Sequence, residues 1–290
     1  MSRAGLAAVR RRYADVLTAR LGSGAAPVRD AFARVPREKF LGPPPWRLLS
    51  AFPHDTDDPA QLYADLLVVL AADKRINNGS PALHAHMLHR LAVVPGDHVL
   101  HVGAGGGYYT AILAELAGPA GRVTAVEFDP ALAAAAAAHL RGRPQVRVVQ
   151  GDGADFPPEE VQRIYVNFAL ARPAEAWLDR LAAGGRLLFP LGVPDPAAQG
   201  GDAARSTGRA AILEVRRTPA GFAAAFDVPV AFIFAEGRTA GDPALRAAVW
   251  EAFGRGGQER VRSLHRRPLP PARAWLSSPG FSLGFDPPGG

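Results

Sequence analysis

From residue 95 onward the chain alternates short apolar segments with helical ones, and this alternation restricts the possible folds more than any other feature of the sequence. Five segments have the length and apolar character of buried strands: 98–102, 122–127, 146–150, 163–168 and 186–190. Helical patterns at 109–116, 130–141 and 174–183 separate most of them. Because strands joined through helices pair in parallel, the sequence predicts an α/β fold with a parallel sheet and helices on both faces.

The first 95 residues are predicted to be mainly helical. Apolar side chains recur at helical spacing near 5–21, 27–35, 59–72 and 81–92, and proline-containing loops interrupt these segments. We interpret residues 1–95 as a helical N-terminal cap that also supplies the substrate-side segment.

The residues after the alternating region have a different pattern. Segments 210–216, 221–226 and 230–235 follow one another without a helix, which indicates antiparallel strands. A helical pattern near 242–255 comes next. We interpret residues 96–236 as the core domain and residues 237–290 as a C-terminal extension packed on the core. Apolar side chains are available to anchor this extension: Leu245, Ala248, Val249, Phe253, Trp275, Leu276, Phe281 and Leu283.

Charge and composition narrow the class of protein. The net charge is +6, but the basic side chains are scattered and only Lys39 and Lys74 are lysines, so we expect no nucleic-acid partner. The chain contains no cysteine, which excludes disulfides, thiolate metal sites and a cysteine nucleophile. No apolar run reaches the roughly 18–20 residues that span a bilayer, and we expect a cytoplasmic protein without membrane contact. The oligomeric state is not indicated.

A glycine-rich turn connects the first predicted strand to its helix. Residues 103–107 read Gly-Ala-Gly-Gly-Gly, and Tyr108 follows them. Glycines let a ligand approach the main chain closely, and the first N–H groups of the helix have no acceptor within it. A dinucleotide motif would need glycine at position 108, and a phosphate-binding loop would need Gly-Lys-Ser or Gly-Lys-Thr. The turn therefore favours a nucleoside whose tail is an amino acid. The residues assigned to this part of the site are Gly103, Ala104, Gly105, Gly107 and Tyr108.

Two acidic residues stand at the ends of the next two strands. Glu127 ends the second strand, with Phe128 beside it, and a carboxylate there can accept hydrogen bonds from both hydroxyl groups of a ribose. Asp152, followed by Gly153, comes after the third strand and can accept a hydrogen bond from an adenine amino group. Ligands of open α/β sheets bind beside the carboxyl ends of the strands. Together with the glycine-rich turn, these residues predict a site for S-adenosyl-L-methionine.

Several blocks of sequence carry a resemblance to a known family. PGDHVLHVGAGGGYYTAILAEL, GRVTAVEFDP, GDG and GGRLLFPLG resemble the class I S-adenosylmethionine-dependent methyltransferases, most of all the protein-L-isoaspartate (D-aspartate) O-methyltransferase family. Residues 77–85 (NNGSPALHA) stand in the place of that family's T-I-S-x-P-x-x-x-A segment, and the resemblance extends from about residue 40 to about residue 235. The resemblance implies a Rossmann-like fold with a seven-stranded, mostly parallel sheet and an antiparallel final hairpin. It also implies transfer of a methyl group to a carboxylate.

The resemblance also implies acceptor-side residues. We expect Asn78 and Ser80 to orient an aspartyl or isoaspartyl carboxylate of a protein or peptide, and Asn167, after the fourth strand, to line the active site. The family's functional serine corresponds to Gly79 here, and its acidic residue at the end of the first strand corresponds to His101. Because Gly79 lacks that hydroxyl, we expect weak or absent activity on ordinary isoaspartyl peptides and a preference for a bulkier or dedicated acceptor, such as a specific peptide.

Other functions remain open from the sequence alone. A small-molecule O- or N-methyltransferase would use the same cofactor, and a binding module would hold the cofactor without turnover. A metal site is not expected, because His84 does not share a helical face with His86 and His89 and no carboxylate joins them at ligand spacing.

Overall fold

The computed structural model describes residues 3–198, 205–235 and 237–289. The chain divides into two compact units, Met1–Gly151 and Asp152–Gly290. This division does not follow the predicted boundaries after 95 and 236, and residue 236 itself lies outside the described residues. The division into 1–95, 96–236 and 237–290 therefore stays an interpretation of the sequence.

Three helices account for much of the N-terminal part of the first unit. They are α1 (Arg3–Thr18), α2 (Ala26–Arg34) and α3 (Pro81–Leu91), which confirms three of the four helices predicted there. The buried rings of Tyr13 and Phe32 join α1 to α2 edge to face, with their centroids 6.2 Å apart. Ser80 caps α3, because its hydroxyl accepts a hydrogen bond from the N–H group of Leu83.

The fourth predicted helix, at 59–72, is wrong. Pro59–Leu62 forms only a short 3-10 turn, and the rest contributes to a four-stranded antiparallel sheet with the order β2-β1-β3-β4. Its strands are β1 (Trp46–Leu49), β2 (His54–Thr56), β3 (Leu67–Ala71) and β4 (Ile76–Asn77). The periodicity of a short apolar run fits a helix or a strand, and the β-branched side chains of Val68 and Val69 favour the strand.

The alternating region of the first unit forms a parallel sheet, as predicted. Its strands are β5 (His98–Val102), β6 (Arg122–Glu127) and β7 (Val146–Gln150), connected by α4 (Tyr108–Ala117) and α5 (Pro130–His139). All side chains of β5 are buried, as expected for a strand covered on both faces. Because the strands are parallel, the turn after β5 and Glu127 at the end of β6 lie at the same edge of the sheet.

The second unit continues the alternation and then becomes antiparallel. β8 (Val161–Val166) and β9 (Leu181–Val193) are parallel, with α6 (Glu175–Arg180) between them. β9, β10 (Arg209–Thr218) and β11 (Gly221–Pro229) are successive antiparallel neighbours, as predicted for the final hairpin. The strand predicted at 230–235 is wrong, since this segment makes only isolated bridges, Ile233 with Ser206 and Phe234 with Ala169.

The residues after 237 fold onto the sheet of the second unit. α7 (Pro243–Arg255) confirms the helix predicted near 242–255. Three strands follow that the sequence pattern does not reveal: β12 (Ser263–His265) pairs with β11, β14 (Phe281–Gly284) with β12, and β13 (Ala274–Ser278) with β14. The rings of Phe226, Phe253 and Trp275 meet edge to face, with centroids 4.9–5.6 Å apart, and join β11, α7 and β13.

Helices and strands thus follow the α/β alternation that the sequence predicts. Among residues 3–198, 205–235 and 237–289, no helix combines the length and the apolar character needed to cross a membrane.

Candidate functional site

Main-chain hydrogen bonds hold the glycine-rich turn at the carboxyl end of β5. The N–H groups of Gly103 and Ala104 both donate to the carbonyl of Val126 on β6, at 2.9 and 3.2 Å. The N–H group of Gly107, just before α4, donates to the carbonyl of Ala104 at 3.0 Å. Gly103, Gly105 and Gly107 have φ angles of +78°, +55° and +92°, a left-handed backbone that glycine adopts without strain.

No side chain fits at Gly106 in this turn. A Cβ atom at Gly106 would lie 2.3 Å from the carbonyl oxygen of Phe40. The carbonyl of Gly106 accepts a hydrogen bond from Nδ1 of His139 at 2.8 Å. The turn is therefore fixed from two sides and presents main chain, without side chains, to a ligand.

Glu127 braces the turn from the end of β6. It is 7% exposed; its Oε2 accepts from the N–H group of Gly105 at 2.7 Å, and its Oε1 accepts from that of Asp129 at 3.0 Å. Burial raises the pKa of the Glu127 carboxyl above its ordinary value, although the N–H groups of Asp129 and Gly105 act to lower it. A carboxylate oxygen has about two acceptor positions, so each oxygen can accept one further hydrogen bond, as two ribose hydroxyls require.

Asp129 fixes the loop that follows Glu127. Its Oδ1 accepts from the N–H groups of Ala131 and Leu132 and so caps α5. Lys74, in the turn between β3 and β4, pairs with Oδ2 of Asp129, and this contact lowers the pKa of that carboxyl. The small antiparallel sheet is thereby linked to the loop beside the predicted ribose acceptor.

Two aromatic residues of the predicted cofactor site have contrasting environments. Phe128 is 58% exposed, so its ring face is accessible to a ligand. Tyr108 is buried, and its ring packs on Phe32 and Phe40, with centroids 6.1 and 5.8 Å away. What Tyr108 can offer a ligand is its main-chain N–H group at the first position of α4.

In the second unit, Asp152 begins a short turn that is held by several contacts. Its Oδ1 accepts from the N–H group of Ala154 at 2.8 Å. The carbonyl of Gly153 accepts from Nε1 of Trp177 at 2.9 Å, and that ring, on α6, is fully buried. Nε of Arg238 lies 3.4 Å from Oδ2 of Asp152. The carboxylate predicted to bind adenine is therefore fixed at both of its oxygens.

Asn78 is tied to β3 through its main chain and its side chain. Its N–H group donates to the carbonyl of Val68 at 3.0 Å, and its Oδ1 accepts from the N–H group of Val68 at 2.8 Å. This pairing fixes the orientation of the side-chain amide in a residue that is 8% exposed. Within the described part of the chain, Nδ2 of Asn78 has no hydrogen-bond partner. A buried unpaired donor costs about 1–3 kcal/mol and calls for a functional explanation.

Ser80 uses its hydroxyl within the fold. The hydroxyl donates to Oδ1 of Asp65 at 2.8 Å and accepts from the N–H group of Leu83 at 3.3 Å. Gly79, just before it, has a φ angle of +72°, and a Cβ atom there would lie 2.3 Å from Nε2 of His84. Ser80 therefore starts α3, and its proton is directed at Asp65.

Asn167 directly follows β8 and is half-buried. Ala169, two residues later, is hydrogen-bonded to the segment that follows β11. Its N–H group donates to the carbonyl of Ile233 at 2.8 Å, and its carbonyl accepts from the N–H group of Ala235 at 2.7 Å. Asn167 thus stands at the carboxyl end of a parallel strand, where the sequence predicts it.

Two histidines of the first unit are buried and uncharged at neutral pH. Nδ1 of His101 lies 2.8 Å from Oγ1 of Thr110, and burial lowers the pKa of His101 to about 3. His84 stacks on Tyr109 with ring centroids 3.6 Å apart, and burial lowers its pKa well below the ordinary value. In the described part of the chain, no three His, Cys, Asp or Glu side chains are grouped so that they could hold a metal ion.

The burial of His101 predicts a stability that decreases in mild acid. The unfolded chain binds a proton at this residue near pH 6.5, whereas the folded protein binds it only near pH 3. The free energy of unfolding should therefore fall as the pH is lowered through this interval, by up to about 1.4 kcal/mol per pH unit for this side chain. Urea unfolding of the wild type and of His101→Gln at several pH values measures it. The variant should show a shallower dependence, and equal slopes would contradict the prediction.

The residues of the first unit fit S-adenosyl-L-methionine. A side chain at Gly105 or Gly106 would reduce the space beside the turn. A Cβ atom at Gly105 would lie 3.3 Å from Cδ1 of Leu70. Each carboxylate oxygen of Glu127 accepts one hydrogen bond and keeps a second acceptor position, which the two hydroxyls of a ribose would need. The turn is held by main-chain hydrogen bonds and by the side chains of Glu127 and His139.

The sequence analysis does not predict two residues that pair with carboxylates near the predicted cofactor residues. Lys74 pairs with Asp129, and Arg238 pairs with Asp152. The polar run Asp73-Lys74-Arg75 marks the tip of a hairpin, but it follows a segment whose pattern predicts a helix. Arg238 stands 86 residues from Asp152 in the chain, and no motif relates the two.

The chain is similar to known proteins of one family. A sequence model of the family described as protein-L-isoaspartate (D-aspartate) O-methyltransferase matches residues 20–205. The protein-L-isoaspartate O-methyltransferase of Aeropyrum pernix is 39% identical over 173 residues, 58% of this chain and 61% of the relative. That of Ignicoccus hospitalis is 31% identical over 210 residues, 71% of this chain and 87% of the relative. The match thus spans less than two thirds of the first relative and most of the second.

The fold is shared with solved members of the same family. A Plasmodium falciparum protein described as a protein-L-isoaspartate O-methyltransferase, solved in complex with S-adenosyl-L-homocysteine, matches with a TM-score of 0.60 at 17% identity. The match covers 79% of this chain and 99% of that one, and it confirms the Rossmann-like methyltransferase fold. With more than half of its residues matched by the family model, the chain belongs to the protein-L-isoaspartate O-methyltransferase family.

Proposed function

We propose that the protein is an S-adenosylmethionine-dependent methyltransferase that esterifies an isoaspartyl or aspartyl carboxylate of a protein or peptide. The observation that carries the proposal is the buried carboxylate of Glu127, which binds Gly105 of the glycine-rich turn and keeps acceptor capacity at the end of β6. Membership of the family supplies the reaction class, and the relative from Plasmodium falciparum was solved with S-adenosyl-L-homocysteine.

In this proposal each residue of the predicted cofactor site has its own role. Glu127 accepts the ribose hydroxyls, and Phe128 packs on the adenine ring. In the second unit Asp152, beside Gly153, accepts a hydrogen bond from the adenine amino group. The main chain of residues 103–108 leaves room for the methionine portion. When bound, S-adenosyl-L-methionine supplies a methyl group made electrophilic by its sulfonium.

The residues of the chain need to orient the acceptor and need not remove a proton from it. An aspartyl or isoaspartyl carboxylate is already ionised near neutral pH. Holding its oxygen about 3 Å from the methyl carbon, in line with the bond that breaks, can supply several kcal/mol of the barrier. His101 and His84 are buried and hydrogen-bonded or stacked, which agrees with a reaction that uses no general base.

The acceptor is oriented by amide donors. Nδ2 of Asn78 is buried, fixed through Val68 and without a partner in the described part of the chain, so it is available to donate to a carboxylate oxygen. Asn167 is proposed to face the acceptor from the end of β8. Ser80 contributes by holding the segment through Asp65, since its own hydroxyl is used there.

A pair of peptides tests the proposal. The peptides share one sequence and differ in a single linkage, isoaspartyl in one and aspartyl in the other, and each is incubated with radiolabelled S-adenosyl-L-methionine. We expect label in the isoaspartyl peptide. Label on small carboxylic acids or amines but on neither peptide would indicate a small-molecule methyltransferase. Binding of S-adenosyl-L-homocysteine without transfer to any acceptor would indicate a binding module.

Because position 79 is glycine, we expect a low rate of methyl transfer to such simple peptides. Its left-handed backbone and the adjacent His84 ring leave no room for a serine side chain, so the hydroxyl found in the family has no counterpart here. A missing hydrogen bond to a charged group corresponds to a loss of at least about tenfold in kcat/KM. The Aeropyrum pernix relative, assayed on the same isoaspartyl peptide at its own working temperature, is the reference. Equal kcat/KM values for the two enzymes would contradict the prediction.

A further inference from the structure

Arg238 connects the C-terminal part of the second unit to the turn that begins at Asp152. It lies in the short helical turn Gly237–Ala240, after the last residue matched by the family model. Its Nε is 3.4 Å from Oδ2 of Asp152, and its guanidinium also donates to the carboxylate of Asp155. One arginine therefore bridges both carboxylates of this turn.

The segment that carries Arg238 is anchored on both sides. Before it, the N–H group of Ala235 donates to the carbonyl of Ala169 at 2.7 Å. After it, Thr239 is 5% exposed, and Asp242 caps α7 by accepting from the N–H group of Leu245 at 2.8 Å. Arg238 thus extends from a fixed support.

Asp152 needs such a partner to present a fixed acceptor. Its Oδ1 is directed at Ala154, and Oδ2 is the oxygen that faces Arg238. An aspartate side chain at a loop position changes rotamer readily unless both oxygens are held. A positioned acceptor binds a donor more tightly than a mobile one, because less conformational entropy is lost on binding.

We propose that Arg238 is a positioning residue of the cofactor site, which holds the Asp152 carboxylate in place to receive the 6-amino group of adenine. The inference rests on the proposed function, because it takes Asp152 to be the adenine acceptor. Arg238 lies outside residues 20–205, which the family model matches. The inference therefore gives the C-terminal region a role in cofactor selection.

The effect should appear in binding and leave folding almost unchanged. Arg238 is 62% exposed, and ion pairs at exposed positions contribute little to stability. Salt screens such pairs, so the contribution of Arg238 should diminish as the ionic strength rises above about 0.15 M. A residue that merely stabilised the fold would change the melting temperature and would leave the preference between ligands with and without the 6-amino group unchanged.

Two ligands and three variants test the inference by calorimetry. The ligands are S-adenosyl-L-homocysteine and its purine analogue, which lacks the 6-amino group. The variants are Arg238→Gln, Arg238→Lys and the control Arg267→Gln, which removes an exposed arginine from the same C-terminal region.

We expect Arg238→Gln to weaken binding of S-adenosyl-L-homocysteine by about two- to fivefold at low salt, the range typical of an exposed charge pair. Binding of the purine analogue should stay as in the wild type, so the preference between the ligands should fall. Arg238→Lys should recover part of the preference, and Arg267→Gln should leave it intact.

The outcomes separate this inference from the proposed function. A wild-type preference for the amino-bearing ligand that survives unchanged in Arg238→Gln would overturn the role of Arg238 and leave the proposed function standing. An equal loss for both ligands would also overturn it, since the effect would not pass through the amino group. A wild type that does not bind S-adenosyl-L-homocysteine would contradict the proposed function itself.

Discussion

Replacing Glu127 with alanine will weaken the binding of S-adenosyl-L-homocysteine by about 1.5–3 kcal/mol, the usual worth of hydrogen bonds to a charged group. In the proposed mode of binding the variant loses the acceptor for the ribose. It also loses the hydrogen bonds that hold the glycine-rich turn and the next loop, because Gly105 and Asp129 donate to this carboxylate. Titration calorimetry of the folded variant measures the change.

Two further variants refine this result. Glu127→Gln keeps one carbonyl oxygen and turns an amide against a main-chain N–H group, so its affinity should lie between those of the wild type and Glu127→Ala. Glu115→Gln is the matched control, because Glu115 lies in the last turn of α4 and pairs with Arg143 at 2.7 Å. Wild-type affinity in Glu127→Ala would rule out the ribose assignment.

Gly106→Ala should destabilise the protein by about 1–3 kcal/mol, the usual cost of overpacking, and weaken cofactor binding as well. The added Cβ atom would meet the carbonyl oxygen of Phe40 at 2.3 Å, and that atom belongs to the main chain and cannot rotate away. Relief requires the turn to move, which displaces the N–H groups around Glu127. Thermal unfolding and calorimetry with S-adenosyl-L-homocysteine report the two effects.

Gly142→Ala provides the control for this prediction. It makes the same chemical change in the same unit, at an exposed position where the added carbon would meet no atom within 4 Å. Its stability should stay within about 0.5 kcal/mol of the wild type. If Gly106→Ala behaved like Gly142→Ala, the close approach of Phe40 to the turn would be refuted.

The fold could be predicted best where local signals and tertiary structure agree. The parallel strands and α4 and α5 have clear boundaries, because glycines and the capping residue Asp129 mark where each helix begins or ends. The segment at 59–72 could not be predicted in this way, since its apolar run fits a helix or a strand. The β-branched Val68 and Val69 favour the strand weakly, and the pairing with β1 and β4 decides for it.

The residues of the candidate site likewise differ in whether they depend on local motifs or on long-range contacts. Glu127 and the glycine-rich turn are local motifs at strand ends, so the sequence predicts them. The part played by Ser80 depends on Asp65, 15 residues away, and the position of Arg238 depends on a contact across 86 residues. Long-range partners of this kind leave no periodic trace in a single sequence.

The chemical bond formed with the transferred methyl group tests the central claim most directly. An isoaspartyl peptide labelled from radioactive S-adenosyl-L-methionine is treated with mild alkali, and the volatile fraction is counted. Carboxyl O-methylation predicts that the label leaves as methanol, because esters hydrolyse under these conditions. Label that stays on the peptide after alkali would show methylation at nitrogen or another stable position and would contradict the account.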